Sequence, residues 1–149
     1  MKPVAEVPFV SLVGIERHQA SSGSSLSVLA PRAELLNSFG VMHGGVLMTL
    51  MDVAMASAAR SLQPDLGVVT VELKTSFMRP ARGTLQARGR VLQRSGTMAF
   101  TEATIFDASE RAVAHASGTF KYVRRSPGPA PGPTVQPLPT DQPGDKHAT

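Results

Sequence analysis

NSFGVMHGGVLMTLMDVAMASAAR, residues 37–60, is the stretch whose reading decides the fold. From Gly44 to Leu62 the chain has no proline and is rich in alanine, leucine and methionine, residues that propagate a helix well. Pro64 follows, a residue that cannot continue one. A helix is therefore predicted over 44–62. Its apolar residues lie all round rather than on one stripe, so it is expected to be buried on several sides. In its middle stands one carboxylate, Asp52, among Leu50, Met51, Val53 and Ala54. It lies about two turns inside, too deep for a cap. A buried carboxylate is costly unless it is paired or hydrogen-bonded, which makes Asp52 a functional candidate. Desolvation would raise its pKa and make it a better base.

His43, Gly44 and Gly45 open that helix. First-turn N–H groups have no partner within a helix and lie at the positive end of its dipole. Glycine lets a ligand come close to such a backbone. This is a place for a carbonyl oxygen that gains negative charge. His43 fits a base, a metal ligand or a hydrogen-bonding anchor. No other His, Asp or Glu stands at a zinc-ligand spacing from it, so no metal site is expected. Asn37 sits in the preceding loop, where asparagine commonly serves turns. Met48, Met51 and Met55 suit adaptable packing or a pocket lining.

Before the helix, residues 14–20 and 24–31 read as two short strands around Ser21-Ser22-Gly23, and 32–42 as a loop. After it, four runs alternate with period two: 68–78, 84–94, 98–106 and 112–122. In the first, Val69, Val71, Leu73, Thr75 and Phe77 alternate with Thr70, Glu72, Lys74 and Ser76. Runs of this kind joined by short turns predict an antiparallel meander. One buried helix with such a sheet is an α+β layer arrangement. Ala114, Ala116 and Gly118 would let the helix lie close to the sheet.

The chain of 149 residues is long enough for one domain, assigned to 1–125. Residues 126–149, SPGPAPGPTVQPLPTDQPGDKHAT, are dominated by proline and glycine and offer only Val135 and Leu138 as sizeable apolar groups. They cannot bury enough surface to offset the entropy of ordering, so a flexible tail is expected. Absence of cysteine rules out disulfides and thiolate chemistry. The opening MKPVAEVPFVSLVG makes a poor signal peptide, and Asp52 interrupts the best apolar run. A cytoplasmic location and no membrane partner are expected. The net charge is +4 and the pI about 10.1, but aromatics are 5% and no RNA-binding aromatic signature is present. No nucleic-acid partner is expected, and a small polyanionic substrate suits the charge.

Together these residues resemble the PaaI-like hotdog-fold thioesterases. The likeness covers about residues 14–123. It rests on NSFGVMHGG, on Asp52, on VVTVELKTSFMRPA, and on the later GRVLQRSGTMAF and AHASGTF. The resemblance implies a curved antiparallel sheet around a long central helix. It also implies a homodimer or dimer of dimers that hydrolyses acyl-coenzyme A thioesters without a metal or separate cofactor, coenzyme A being part of the substrate. Carried over, Asp52 matches the catalytic carboxylate and Gly44 the backbone donor to the thioester carbonyl. Asn37 and His43 match the polar residues beside that carbonyl, and Thr70 a residue that helps hold the attacking water. Substrate contacts are implied for Gly45, Phe77, Met78, Arg79, Arg82, Ser95, Gly96 and Thr97. By alternation alone, Thr70 shares the face of Glu72 and Lys74 and would be exposed. Two other readings stay open: a hotdog acyl-thioester dehydratase or hydratase, which normally uses a helix glutamate, and a non-catalytic acyl-CoA-binding protein. Independently of any family, eight residues separate Gly44 from Asp52, about 12 Å along one helix. A single carbonyl touching both requires two antiparallel helices, one from each subunit of a symmetric dimer.

Overall fold

The computed structural model describes residues 6–125; the first five residues and the expected tail at 126–149 lie outside the described residues. A short helix α1 (Pro8–Val13) leads into β1 (Glu16–Ser21) and β2 (Ser24–Leu29). A 3-10 turn at Ala33–Leu35 precedes the long helix α2 (Gly44–Leu62). Then follow β3 (Gly67–Phe77), β4 (Leu85–Ser95), β5 (Met98–Phe106) and β6 (Ala112–Val123). The six strands form one antiparallel sheet in the order β1-β2-β4-β5-β6-β3. The sheet wraps α2, which packs against all six strands. This is the hotdog fold, with the α+β arrangement expected from the sequence.

The core lies between α2 and the concave face of the sheet. Leu50, Met51, Ala54, Met55, Ala58 and Ala59 on the helix are buried against Leu85, Ala87, Ile105, Ala114, Ala116 and Phe120. Small residues set the approach distance. A Cβ on Gly89 would stand 2.6 Å from the Ala54 carbonyl oxygen, so the helix backbone rests almost directly on that glycine. Ser25 fastens the same point, donating its hydroxyl to the Ala54 carbonyl at 2.6 Å. At Gly118 a Cβ would meet the Met55 side chain at 3.2 Å.

Three details depart from the sequence reading. The four strands after the helix are not one meander: β4, β5 and β6 are, but β3 pairs with β6 at the far edge. The link from β3 to β4 is too wide for a hairpin. It carries Pro80, and the Ala81 carbonyl accepts the Met42 N–H at 3.0 Å, docking the link on the loop before α2. Second, residues 8–13 form α1, with Pro8 in its first turn and Gly14 closing it at a positive φ of 85°. Third, α2 is long and apolar enough, by length and composition, to cross a bilayer despite Asp52. Here it is the core helix of the sheet.

Candidate active site

His43 caps α2. Its Nδ1 accepts the Gly45 N–H at 2.9 Å, and its carbonyl accepts from Val46 and Leu47. An accepting Nδ1 has no hydrogen, so the neutral ring carries its hydrogen on Nε2 as an outward donor. The cap therefore uses the N–H of Gly45 and leaves that of Gly44. Among the described residues the Gly44 N–H has no hydrogen-bond partner. The Phe77 ring covers Gly44 from one side: a Cβ there would meet its Cζ at 3.4 Å.

Asn37 folds the loop that delivers His43. Its Oδ1 accepts from the N–H groups of Phe39 at 2.9 Å and Val41 at 3.3 Å, and its own N–H donates to the Val41 carbonyl. With the oxygen engaged in this turn, the side-chain NH2 is left to donate. The His43 N–H donates to the Leu35 carbonyl at 2.9 Å, fixing the cap against the 3-10 turn.

Asp52 lies further along the same unbroken helix, half-buried at the seam between α2 and β3. The Thr70 hydroxyl donates to its Oδ1 at 2.7 Å. Burial raises the Asp52 pKa above the usual carboxylate value, and the Thr70 hydrogen bond pulls partly the other way. The seam thus holds a carboxylate that is more basic than one in water.

Thr70 reaches Asp52 because of a register break. The pairing of β3 with β6 shifts between Thr70 and Glu72, leaving Val71 as an extra residue. Thr70 is opposite buried Phe120 and so faces the helix, while Glu72 is opposite Thr119 and takes its hydroxyl at 2.7 Å on the outer face. The expected sharing of a face by Thr70, Glu72 and Lys74 is therefore overturned. A strict period of two cannot see a bulge.

The remaining candidates fall into two groups. Phe77, Met78, Arg79 and Arg82 lie at the α2 N-terminal end. There the N–H groups of Met78 and Arg79 donate to the Val113 carbonyl, and Arg79 Nη1 donates to the Ala112 carbonyl at 2.7 Å. Arg79 and Arg82 also line a surface cleft of about 310 Å³ with Ser109 and Arg111. Ser95, Gly96 and Thr97 form the β4–β5 turn at the other end of the helix. The Thr97 carbonyl accepts the Tyr122 N–H at 2.7 Å, and the Tyr122 hydroxyl donates to the Ala59 carbonyl at 2.6 Å. One chain does not bring these two groups together. Of Met48, Met51 and Met55, Met48 is 39% exposed on the seam, whereas Met51 and Met55 are buried in the core. Among the described residues no three His, Asp or Glu side chains converge as metal ligands would.

Residues 39–114 match the family described as the Thioesterase superfamily. A Halobacterium salinarum protein bearing the name "Putative esterase" is 32% identical over 77% of this chain and 84% of its own. Among solved structures, a conserved protein of Pseudomonas aeruginosa superposes with a TM-score of 0.76 at 32% identity, covering 79% of this chain and 95% of that one. The E. coli PaaI protein of the phenylacetic acid degradation operon gives 0.72 at 25% identity, covering 77% and 83%.

Proposed function

From the premise that this chain belongs to the thioesterase superfamily as a PaaI-like hotdog protein, we propose that it hydrolyses an acyl-coenzyme A thioester to the free acid and coenzyme A. The observation that carries this reading is Asp52: a carboxylate made more basic by burial and held by Thr70 at an open seam. The thioester carbonyl oxygen takes the unpaired Gly44 N–H, with the His43 Nε2–H and the Asn37 amide as further donors. Negative charge that builds on that oxygen is met by donors already in place. A water attacks the carbonyl carbon and Asp52 takes its proton; alternatively the carboxylate attacks directly, and the mixed anhydride it forms on expelling the thiolate is then hydrolysed by water to the free acid. The C–S bond then breaks and the coenzyme A sulfur is protonated as it leaves.

Gly44 and Asp52 cannot serve one carbonyl from one rigid helix, being eight residues and about 12 Å apart. In this reading the protein is a homodimer, and each site joins Gly44, His43 and Asn37 of one subunit to Asp52 and Thr70 of the other. Val69, Val71 and Phe77 on the open β3 edge support such a partner, since a long exposed edge strand invites pairing. Thioester hydrolysis over a panel of aliphatic and aryl acyl-CoA substrates, monitored by thiol release, tests the proposal. Hydrolysis by wild type, reduced about 10²–10⁴-fold in folded Asp52→Asn, is expected; a panel without turnover would defeat it.

A further inference from the structure

Met48 is a large apolar side chain that the subunit leaves uncovered. Along the body of α2, Leu47, Leu50, Met51 and Met55 are at most 3% exposed, whereas Met48 is 39% exposed. It stands four residues after Gly44 and four before Asp52. Four residues advance a helix by about 6 Å and turn it by about 40°, so the three share one face with Met48 at its centre. Thr49, the next residue, turns its hydroxyl back onto the Gly45 carbonyl at 2.9 Å. The strand beside the helix keeps the same spacing: Thr70 reaches Asp52 at 2.7 Å, and the Phe77 ring covers Gly44. Met48 is therefore level with the stretch of the open β3 edge midway between Thr70 and Phe77.

The shared site fixes what Met48 faces. A two-fold axis that sets Gly44 of one subunit beside Asp52 of the other does so twice, once for each site. The position midway between these two residues on α2 then maps onto itself, and that position is 48. The two Met48 side chains meet on the axis, with one thioester carbonyl about 6 Å to either side along the helix. Two substrates held about 12 Å apart cannot both send a long, charged coenzyme A arm inward. The arms diverge, and the acyl groups converge on the axis. There they meet two thioethers, which are apolar, unbranched and able to change rotamer. We propose that the two Met48 side chains form a partition shared by both sites of the dimer, and that this partition sets how long an acyl group each site takes. The proposal rests on the acyl-CoA reading, yet the meeting of the two methionines can be read without catalysis.

The chain has no cysteine, so Met48→Cys supplies a single thiol per subunit. Mild oxidation should cross-link this dimer, since a disulfide forms where Cα atoms lie within about 7 Å. Ala56→Cys is the control: eight residues further along α2, its two copies would stand about 24 Å apart along the helix and should stay unlinked. Non-reducing electrophoresis, with mass spectrometry of the linked peptide, reads both. In turnover, Met48→Ala should raise kcat/KM for longer aliphatic acyl-CoA substrates relative to shorter ones by about tenfold or more. Met48→Phe should move that ratio by a similar factor the other way. Both shifts should recur with acyl-pantetheine, because they act on the acyl group. If Met48→Phe fails to fold or dimerise, as judged by circular dichroism and gel filtration, Met48→Ala alone must still shift the ratio. A ratio unchanged in the folded variants overturns the proposal. Turnover lowered equally at every chain length overturns it too, because it marks Met48 as structural. A confirmed Met48→Cys dimer that does not cross-link, or an Ala56→Cys dimer that links as readily, removes the methionines from the axis and overturns the shared partition. A cross-link in a protein whose wild type hydrolyses no acyl-CoA leaves the methionines on the axis and removes the thioesterase reading, and the acyl limit with it.

Discussion

At neutral pH the Asp52 carboxylate works against the fold. Its pKa is raised in the native state, mainly by burial, so the native state holds the proton more tightly than the unfolded chain does. Its stabilising contribution is therefore complete below the ordinary value of 3.8 and is lost as pH rises through the folded value. At neutral pH the ionised carboxylate is a net cost. Asp52→Asn should unfold at the same or a higher temperature than wild type at pH 7, with the gap closing on acidification below that range. Its turnover should fall by about 10²–10⁴-fold, the usual scale for loss of a general base. Thermal melts across pH, paired with thiol release, check both halves; a clear loss of stability at neutral pH would contradict the burial argument. Thr70 gives a sharper test. Its hydrogen bond lowers the Asp52 pKa, so Thr70→Val should raise it further. The acid limb of the pH–rate profile should move to higher pH, with kcat falling by about tenfold from the loss of one charge-assisted bond. An acid limb that stays in place would mean Thr70 does not act on Asp52.

The elements carry different amounts of this information in their sequence. Helix α2 was legible almost to the residue, from Gly44 to Leu62, because good helix formers and a following proline agree. The strands were legible as strands, but not their order. Alternation reports which face is buried and nothing about which strand lies alongside, so the pairing of β3 with β6 stayed hidden. Within the site, Asp52 and Gly44 were visible because each breaks a local rule: a carboxylate in an apolar helix, and glycine where a helix begins. Thr70 was visible only through resemblance, since the Val71 bulge that turns it inward has no side-chain signature of its own. Gly89 has no mark in the 84–94 alternation that sets it apart, yet it is where the helix backbone meets the sheet. Gly89→Ala would set a Cβ 2.6 Å from the Ala54 oxygen and 2.8 Å from the Ser25 hydroxyl. Backbone must shift to relieve that contact, so a loss of about 1–3 kcal/mol or more is expected. Denaturant melts of the purified variant measure it, and wild-type stability would show that α2 can move off the sheet freely.

At the scale of the whole molecule the question is whether a site belongs to one chain. The described chain presents two half-sites on one helix, Gly44 with His43 and Asn37 at its start, and Asp52 with Thr70 about 12 Å further along. If sites are shared across a dimer, defects in the two halves can be sorted apart. Gly44→Val places methyl groups against the Phe77 ring, which a bare Cβ already meets at 3.4 Å, and should bar the carbonyl from the backbone donor. Asp52→Asn removes the base. Each variant alone should be nearly inactive, because every site in either homodimer carries one defect. A mixed dimer built in trans has one site with both defects and one with neither. Mixing the two variants under reversible dissociation should therefore restore activity, up to half that of a wild-type dimer for each heterodimer formed. If each site lies within a single chain, every site keeps its defect and mixing restores nothing. Mass spectrometry of differently tagged chains establishes that subunits have exchanged. Confirmed heterodimers without recovered turnover would defeat the shared site, even in a protein whose thioesterase activity is beyond question.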